Sequence, residues 1–304
     1  MSIKIEEYLK LPSPLEKIDL GFFGITKHEV WVKRDDLIHE CISGNKWRKL
    51  KYNIQYYFNN KYEGIVSFGG AYSNHVAALG QISKDLNIPT TIIIRGERPK
   101  KLNPTLIKTM NEGVDLRFVT RAKYLDFKKS MDGLTGEFPN YLFIPEGASN
   151  EIGMNGCKDI VEEIKLDFDE IFCDVGTGAT CAGISKSLKN NQHVIGIVVL
   201  KGAAYIEEEL EAKFKVDVKK ITLKHEYHFG GYAKNNRKLI EFMKIFYEKT
   251  GIKTDPIYSG KMFYGLINEL QKTTTSKSKR IIALHSGGLQ GISGFEDRFS
   301  LKIY

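Results

Sequence analysis

The sequence predicts an α/β protein built on parallel sheets. Three observations carry that prediction: apolar, β-branched runs alternate with stretches of helical period from residue 64 onward, several of those runs end in glycine-rich turns, and no internal repeat breaks the alternation. The first run, 64–68, leads into a glycine pair and an amphipathic stretch over 74–86. Strands follow at 89–94 and 114–119, separated by a helical pattern over 103–112. A short apolar run at 141–144 precedes a longer helical pattern over 150–165, with Ser149 or Asn150 as its N-cap and a seam between two α/β units at that point. The second series reads as strand 170–175, helix 179–190, strands 193–199 and 219–223, helices 234–250 and 260–272, and a last strand 280–284.

Composition narrows the function classes. A chain of 304 residues, 42% hydrophobic and 27% charged, can bury a full core without staples, which excludes disordered and fibrous classes and predicts one large or two intimate domains. Cys41, Cys157, Cys173 and Cys181 form no CxxC pair and are expected as reduced thiols of a cytoplasmic protein, with no structural disulfide. No run reaches the roughly 18–20 apolar residues of a membrane span, and MSIKIEEYLK lacks the apolar core of an export signal. A soluble, unexported chain with no membrane partner is therefore expected. A net charge of +8 raises nucleic acid as a partner, but the lysines are interspersed with glutamates as on solvated helix faces. The reading is no nucleic acid, and small anions drawn to the denser cluster Lys46, Arg48, Lys49 and Lys51.

Four glycine-rich turns carry the chemistry. In GIVSFGGAYSNHVAALG (64–80) a strand ends at Gly69-Gly70 and a helix opens behind Ser73-Asn74-His75, exposing backbone N–H groups and a helix dipole to a carboxylate; the plain alternative is an ordinary capped turn. In EIFCDVGTGATCAGISKSL (170–188) the turn around Gly176, Thr177, Gly178 and Thr180 lets backbone wrap closely around a phosphate. A dinucleotide fold loses here, because Cys181 stands where the third glycine belongs and the next strand runs into Leu200-Lys201 rather than an acidic residue. No Walker A string occurs. RIIALHSGGLQG (280–291) delivers His285 and Ser286 at a strand's carboxyl end, where ligands of open sheets bind. WVKRDDLIHECISGNKWRKL (31–50) frames Lys46 behind Ser43-Gly44-Asn45 at the start of a basic helix, where repulsion and the helix dipole lower an amine's hold on its proton. A phosphate cup without a dinucleotide fingerprint, a glycine-framed lysine and polar strand ends together specify pyridoxal phosphate, whose aldehyde needs a lysine amine.

With these strings in place, the sequence resembles the pyridoxal-phosphate enzymes of fold type II, the tryptophan synthase β-like group, and within it the D-cysteine desulfhydrase and 1-aminocyclopropane-1-carboxylate deaminase family. The likeness runs in the family's order from WVKRDDL and SGNKWRKL through SFGGAYSNH, VGTGATCAG and DPIYSGKMFYGL to LHSGG. It implies two open parallel-sheet α/β domains with the cofactor in the cleft between them: a large domain of residues 1–46 and 156–304, and a small one of residues 47–155. It makes Lys46 the residue that carries pyridoxal phosphate, Asn74 a partner of the ring hydroxyl, and Ser73, Asn74 and His75 the neighbours of the substrate carboxylate. Gly176, Thr177, Gly178, Ala179 and Thr180 would form the phosphate cup, Ser286 would face the pyridine nitrogen, and Tyr258 would line the substrate side of the ring as a catalytic residue with Lys46 and Ser73. A hydroxyl at the nitrogen tempers the electron sink and suits elimination. A homodimer is implied by the resemblance alone, and no metal.

Two positions depart from the deaminase pattern: Ala283 occupies the place read as a second tyrosine ahead of the histidine-glycine string, and His75 stands where deaminases have glutamine. Both lean toward β-elimination from a small amino acid, with D-cysteine giving pyruvate, sulfide and ammonia. The alternatives are 1-aminocyclopropane-1-carboxylate deamination, another pyridoxal-phosphate deaminase or dehydratase, and a noncatalytic amino-acid-binding relative.

Overall fold

The computed structural model describes residues 4–130, 132–273 and 277–304. Its strands are β1 (Leu15–Leu20), β2 (Ile25–Lys33), β3 (Gly64–Gly70), β4 (Thr90–Arg95), β5 (Asp115–Val119), β6 (Tyr141–Ile144), β7 (Glu170–Val175), β8 (His193–Val198), β9 (Ile221–Lys224) and β10 (Arg280–Leu284). They build two sheets, ordered β1-β2-β10-β7-β8-β9 and β5-β4-β3-β6. Every neighbouring pair is parallel except the β1/β2 hairpin at one edge. The α/β class with parallel sheets is thus the observed one. The strands of the smaller sheet all lie between β2 and β7 of the larger, so the chain leaves one sheet, completes the other and returns.

The helices are α1 (Asn45–Asn59), α2 (Asn74–Leu86), α3 (Pro104–Asn111), α4 (Arg121–Lys129), α5 (Asp132–Thr135), α6 (Glu151–Gly156), α7 (Asp159–Glu162), α8 (Ala179–Ser187), α9 (Tyr205–Phe214), α10 (Arg237–Thr250), α11 (Ser259–Lys272) and α12 (Ile292–Phe299). Parallel strands are buried on both faces by such crossovers. In the larger sheet Phe242, Met243, Phe246, Met262, Phe263 and Leu266 of α10 and α11 cover one face, and Met154, Ile160, Ile184, Ile206 and Leu210 cover the other. In the smaller, Ile54, Val76, Leu79 and Ile82 lie on one side, with Tyr124, Leu134 and Phe138 on the opposite one. At about 1.5–3 kcal/mol for each large apolar side chain, these layers hold the sheets.

Three expectations differ from the structure. The single helix over 150–165 is two, because the turn after Gly156, a weak helix former, separates α6 from α7. The hairpin strand β1, with the half-exposed sequence LEKIDL, lies upstream of where the alternating pattern begins. The helices α4, α9 and α12 lie where no element is expected.

Candidate active site

All four glycine-rich turns leave the carboxyl ends of parallel strands, and most of their polar residues line one cavity of about 490 Å³. Asn45 and Lys46 come from the start of α1, Ser73, Asn74 and His75 from the start of α2, Gly176, Thr177, Gly178 and Thr180 from the turn into α8, and Tyr258 from the entry to α11. Ala179 is buried as the first residue of α8, and Ser286 stands just behind the wall, its Oγ donating to Asp174, which does line the cavity.

Lys46 sits in the first turn of α1, whose N-cap, Gly44, has φ +64°; a Cβ there would lie 1.7 Å from the Ser286 carbonyl oxygen. Only glycine permits that approach, and the adjoining Asn45 amide donates to the same carbonyl at 3.2 Å. Lys46 Nζ donates to Asn45 Oδ1 at 2.6 Å, and Asn45 Nδ2 donates to Thr180 Oγ1 at 3.2 Å, so one amide side chain links the lysine to the α8 turn. Burial first, and then the charge of Lys49, pulls the Lys46 ammonium down to about 7. Near pH 7 about half of such amines are unprotonated, against roughly one in a few thousand for an ordinary lysine. Repulsion, expected from the neighbouring cations in the sequence, is the second cause and burial the first.

The turn into α8 is built for an anion. Gly178 caps the helix at φ +80°, and no side chain caps its first amides. Lys49 lies one turn beyond Lys46, is 3% exposed and lines the same cavity, and its Nζ makes no hydrogen bond or ion pair to a described residue. A buried ammonium without a partner is costly, and an anionic group at the turn would satisfy it. The residues present therefore fit a phosphate-bearing cofactor. Sequence reasoning noted Lys49 only within a basic cluster and did not assign it to the phosphate, and it missed Asn45, Asp174 and Tyr232. The Asp174 carboxyl is pushed up by burial, against the hydrogen bond from Ser286.

At the opposite wall Ser73 is the N-cap of α2, its Oγ accepting the His75 amide at 3.2 Å. Asn74 Oδ1 accepts from Gln290 Nε2 at 2.8 Å. The His75 ring is buried, and burial, then Lys46 and Lys49, lower it to about 3, so it is neutral. Ser67 Oγ donates to the Ile144 carbonyl and so accepts from His75 Nε2 at 2.8 Å, which leaves Nδ1 as a buried acceptor without a partner. A neutral ring nitrogen that only accepts gives a carboxylate no hydrogen bond, whereas the Ser73 hydroxyl, Asn74 Nδ2 and the first amides of α2 are donors at this wall.

Tyr258 faces the lysine, with Lys46 Nζ 6.0 Å from its ring centroid, and burial raises its hydroxyl pKa. A second tyrosine, Tyr232, meets it edge-on with centroids 6.2 Å apart. This corrects the argument from Ala283, which is fully buried in β10 and pairs with Val32 and Phe172. The site has its second tyrosine from the loop before α10, so Ala283 says nothing against ring opening.

Comparison with known proteins agrees with this geometry. The family described as "Pyridoxal-phosphate dependent enzyme" matches residues 8–287. A putative 1-aminocyclopropane-1-carboxylate deaminase of Pyrococcus furiosus is 30% identical over 292 residues, spanning 89% of this chain and 88% of that one. The bifunctional D-cysteine desulfhydrase/1-aminocyclopropane-1-carboxylate deaminase of Arabidopsis thaliana mitochondria is 30% identical over 315 residues, 93% of this chain and 77% of that one. Among solved structures, a 1-aminocyclopropane-1-carboxylate deaminase homologue superposes with a TM-score of 0.82 at 25% identity, covering 95% of this chain and 93% of its own. A hydrogen sulfide-producing enzyme of Fusobacterium nucleatum, at 14% identity and TM-score 0.69 over 94% of this chain and 98% of that one, shares the fold.

Proposed function

The chain belongs to the pyridoxal-phosphate dependent enzyme family, and on that premise we propose that it is a lyase that eliminates the β-substituent of a small amino acid, D-cysteine first among them. The observation that carries the reading is the buried Lys46 amine, lowered to about 7 and linked through Asn45 to the α8 turn. Bound pyridoxal phosphate supplies a conjugated ring that takes up the electron pair released at the substrate α-carbon. Lys46 would carry the cofactor, and its Nζ, when free and unprotonated, would remove the substrate α-proton. Ser73 Oγ and the α2 amides hold the substrate carboxylate, and Tyr258 walls the reacting side opposite Lys46. The C–S bond then breaks with the thiolate leaving, and D-cysteine plus water ends as pyruvate, sulfide and ammonia.

In this reading Asn74 meets the ring hydroxyl, Ser286 stands near the ring nitrogen behind Asp174, and residues 176–180 with Lys49 hold the phosphate. The cofactor occupies the cleft between a small domain, residues 47–155, and a large one of 1–46 and 156–304; the confinement of the smaller sheet to one continuous stretch supports this division. The four free cysteines favour the cytoplasm, and no helix among the described residues is long and apolar enough to cross a membrane. The homodimer rests on the family likeness.

Deamination of 1-aminocyclopropane-1-carboxylate is the second reading, favoured by the tyrosine pair Tyr232 and Tyr258 at one wall. Keto-acid release from D-cysteine, L-cysteine, D-serine and 1-aminocyclopropane-1-carboxylate, each at the same concentration, separates them. D-cysteine is expected to turn over fastest. Keto acid from the cyclopropane alone replaces the first reading with the second, and none from any substrate by cofactor-loaded protein points to a noncatalytic relative. Lys49→Met is expected to weaken cofactor retention about 10–100-fold, the loss of one charge-assisted hydrogen bond, measured by titrating cofactor into the cofactor-free protein.

A further inference from the structure

A second cavity, of about 540 Å³, opens beside the first and shares Gly70, Arg95 and Tyr232 with it. Its wall carries Arg95 at the end of β4, Arg121 at the start of α4, Lys234 from the loop before α10, and Arg298 near the end of α12. Among the described residues, no aspartate or glutamate lines it. None of these four cations has a side-chain hydrogen bond or ion pair to a described residue, although elsewhere arginines such as Arg34, Arg48, Arg117 and Arg280 are each held by carboxylates. Two of the four are braced against rings instead: the Arg95 guanidinium is 5.8 Å from the Tyr124 centroid and that of Arg298 is 5.6 Å from Tyr72. Stacking of this kind fixes a guanidinium plane and leaves its N–H edges free for an anion.

Four cations lining one cavity repel one another; Glu146 lines the first cavity with Arg95 but not the second, and the arrangement is balanced when an anion enters. Arg95 is the junction, since it lines both cavities. A substrate anchored by its α-carboxylate at the start of α2 would have its side chain within reach of the second chamber across Gly70. We propose that this chamber is a side-chain subsite for amino acids bearing a second anionic group, a carboxylate, sulfonate or phosphate, with Arg95 as the residue that discriminates them from neutral ones. The proposal rests on the cofactor-dependent reading of the first cavity and extends its substrate class.

The test uses the cofactor-loaded enzyme and the change in its visible absorbance on binding. Aspartate, cysteate and O-phosphoserine are titrated beside asparagine and serine, each as both enantiomers, in low salt and again in 0.5 M (about half-molar) chloride. The anionic amino acids are expected to bind at least about tenfold more tightly than their neutral counterparts at low salt. That ratio is expected to fall toward one in Arg95→Gln, to narrow in Arg298→Gln, and to shrink at high salt. Equal affinities for anionic and neutral ligands in the unmodified enzyme overturn the proposal, as does a preference that survives both substitutions. Tight binding of free sulfate or phosphate that leaves the amino-acid ratio at one identifies a chamber for inorganic anions and also overturns it. Absence of any cofactor absorbance fails the reading of the first cavity instead, so the two failures are distinct.

Discussion

Replacing Lys46 with alanine is expected to abolish turnover to within the assay limit and to remove the visible absorbance of lysine-bound cofactor. The loss of a positioned base alone costs about 10²–10⁴-fold, and Lys46 also provides the covalent attachment, so the combined effect exceeds either. Two features make the outcome diagnostic rather than merely damaging. Lys46 is not a packing residue of the core: Trp47, Leu50 and Ile54 of the same helix are the fully buried apolar anchors. Lys49 and the uncapped turn of α8 persist in the variant, so phosphate binding is expected to survive in weakened form. Borohydride reduction of the unmodified holoenzyme, followed by peptide mapping, is expected to label residue 46. Label on Lys49 or elsewhere, or a normal absorbance band in the alanine variant, removes the premise of the mechanism.

Much of this arrangement is legible in the sequence because its signals are local. The runs at 141–144, 170–175 and 280–284 coincide with β6, β7 and β10, since short β-branched runs bounded by turn residues leave little choice of register. Lys46, Ser73 and the 176–180 turn each sit at a strand-to-helix junction with glycine beside it, and a parallel sheet brings such junctions to the same edge. What escapes are residues whose meaning depends on remote partners. Tyr232 lies in a loop with no motif of its own and gains its place by packing against Tyr258. Arg95 reads as the polar end of β4, and only the fold sets it between two cavities. Asp174 is one acidic residue in an apolar strand, a pattern that signals a buried partner without naming Ser286, 112 positions away. The misreading of Ala283 has the same origin, because a position was matched along the chain while the side chain it was meant to replace arrives from another loop.

Asp35→Ala is expected to destabilise the fold by about 3–5 kcal/mol, a third or more of the 5–15 kcal/mol typical of a domain, seen as a lower midpoint in urea unfolding. Asp35 is fully buried and takes Arg48 Nε at 3.0 Å and Nη2 at 2.9 Å, while Ser13 Oγ donates to it at 2.6 Å. Arg48 Nη2 also donates to Glu163 at 2.8 Å, and Lys33 Nζ bonds both Glu163 and the Ser13 carbonyl. The cluster pairs two cations with two carboxylates, so deleting Asp35 leaves a buried guanidinium in excess, which costs far more than the bond itself contributes. Burial alone would raise the Glu163 carboxyl, but the hydrogen bonds and charges of Arg48 and then Lys33 hold it at about 2. Its contribution is therefore full above its ordinary value near 4.5 and is lost as pH falls through about 2, so the unmodified protein is expected to lose stability across that acid window. Arg48 is two residues beyond Lys46, and the Asp35 carbonyl accepts the Gly44 amide at 2.8 Å. The network thus fixes α1 from below while the cavity demands a buried, half-protonated amine above it. Loosening that cluster in Asp35→Asn is expected to admit water at the start of α1 and return the lysine toward its ordinary proton affinity before the fold itself is lost, seen as an upward shift in the pH dependence of turnover.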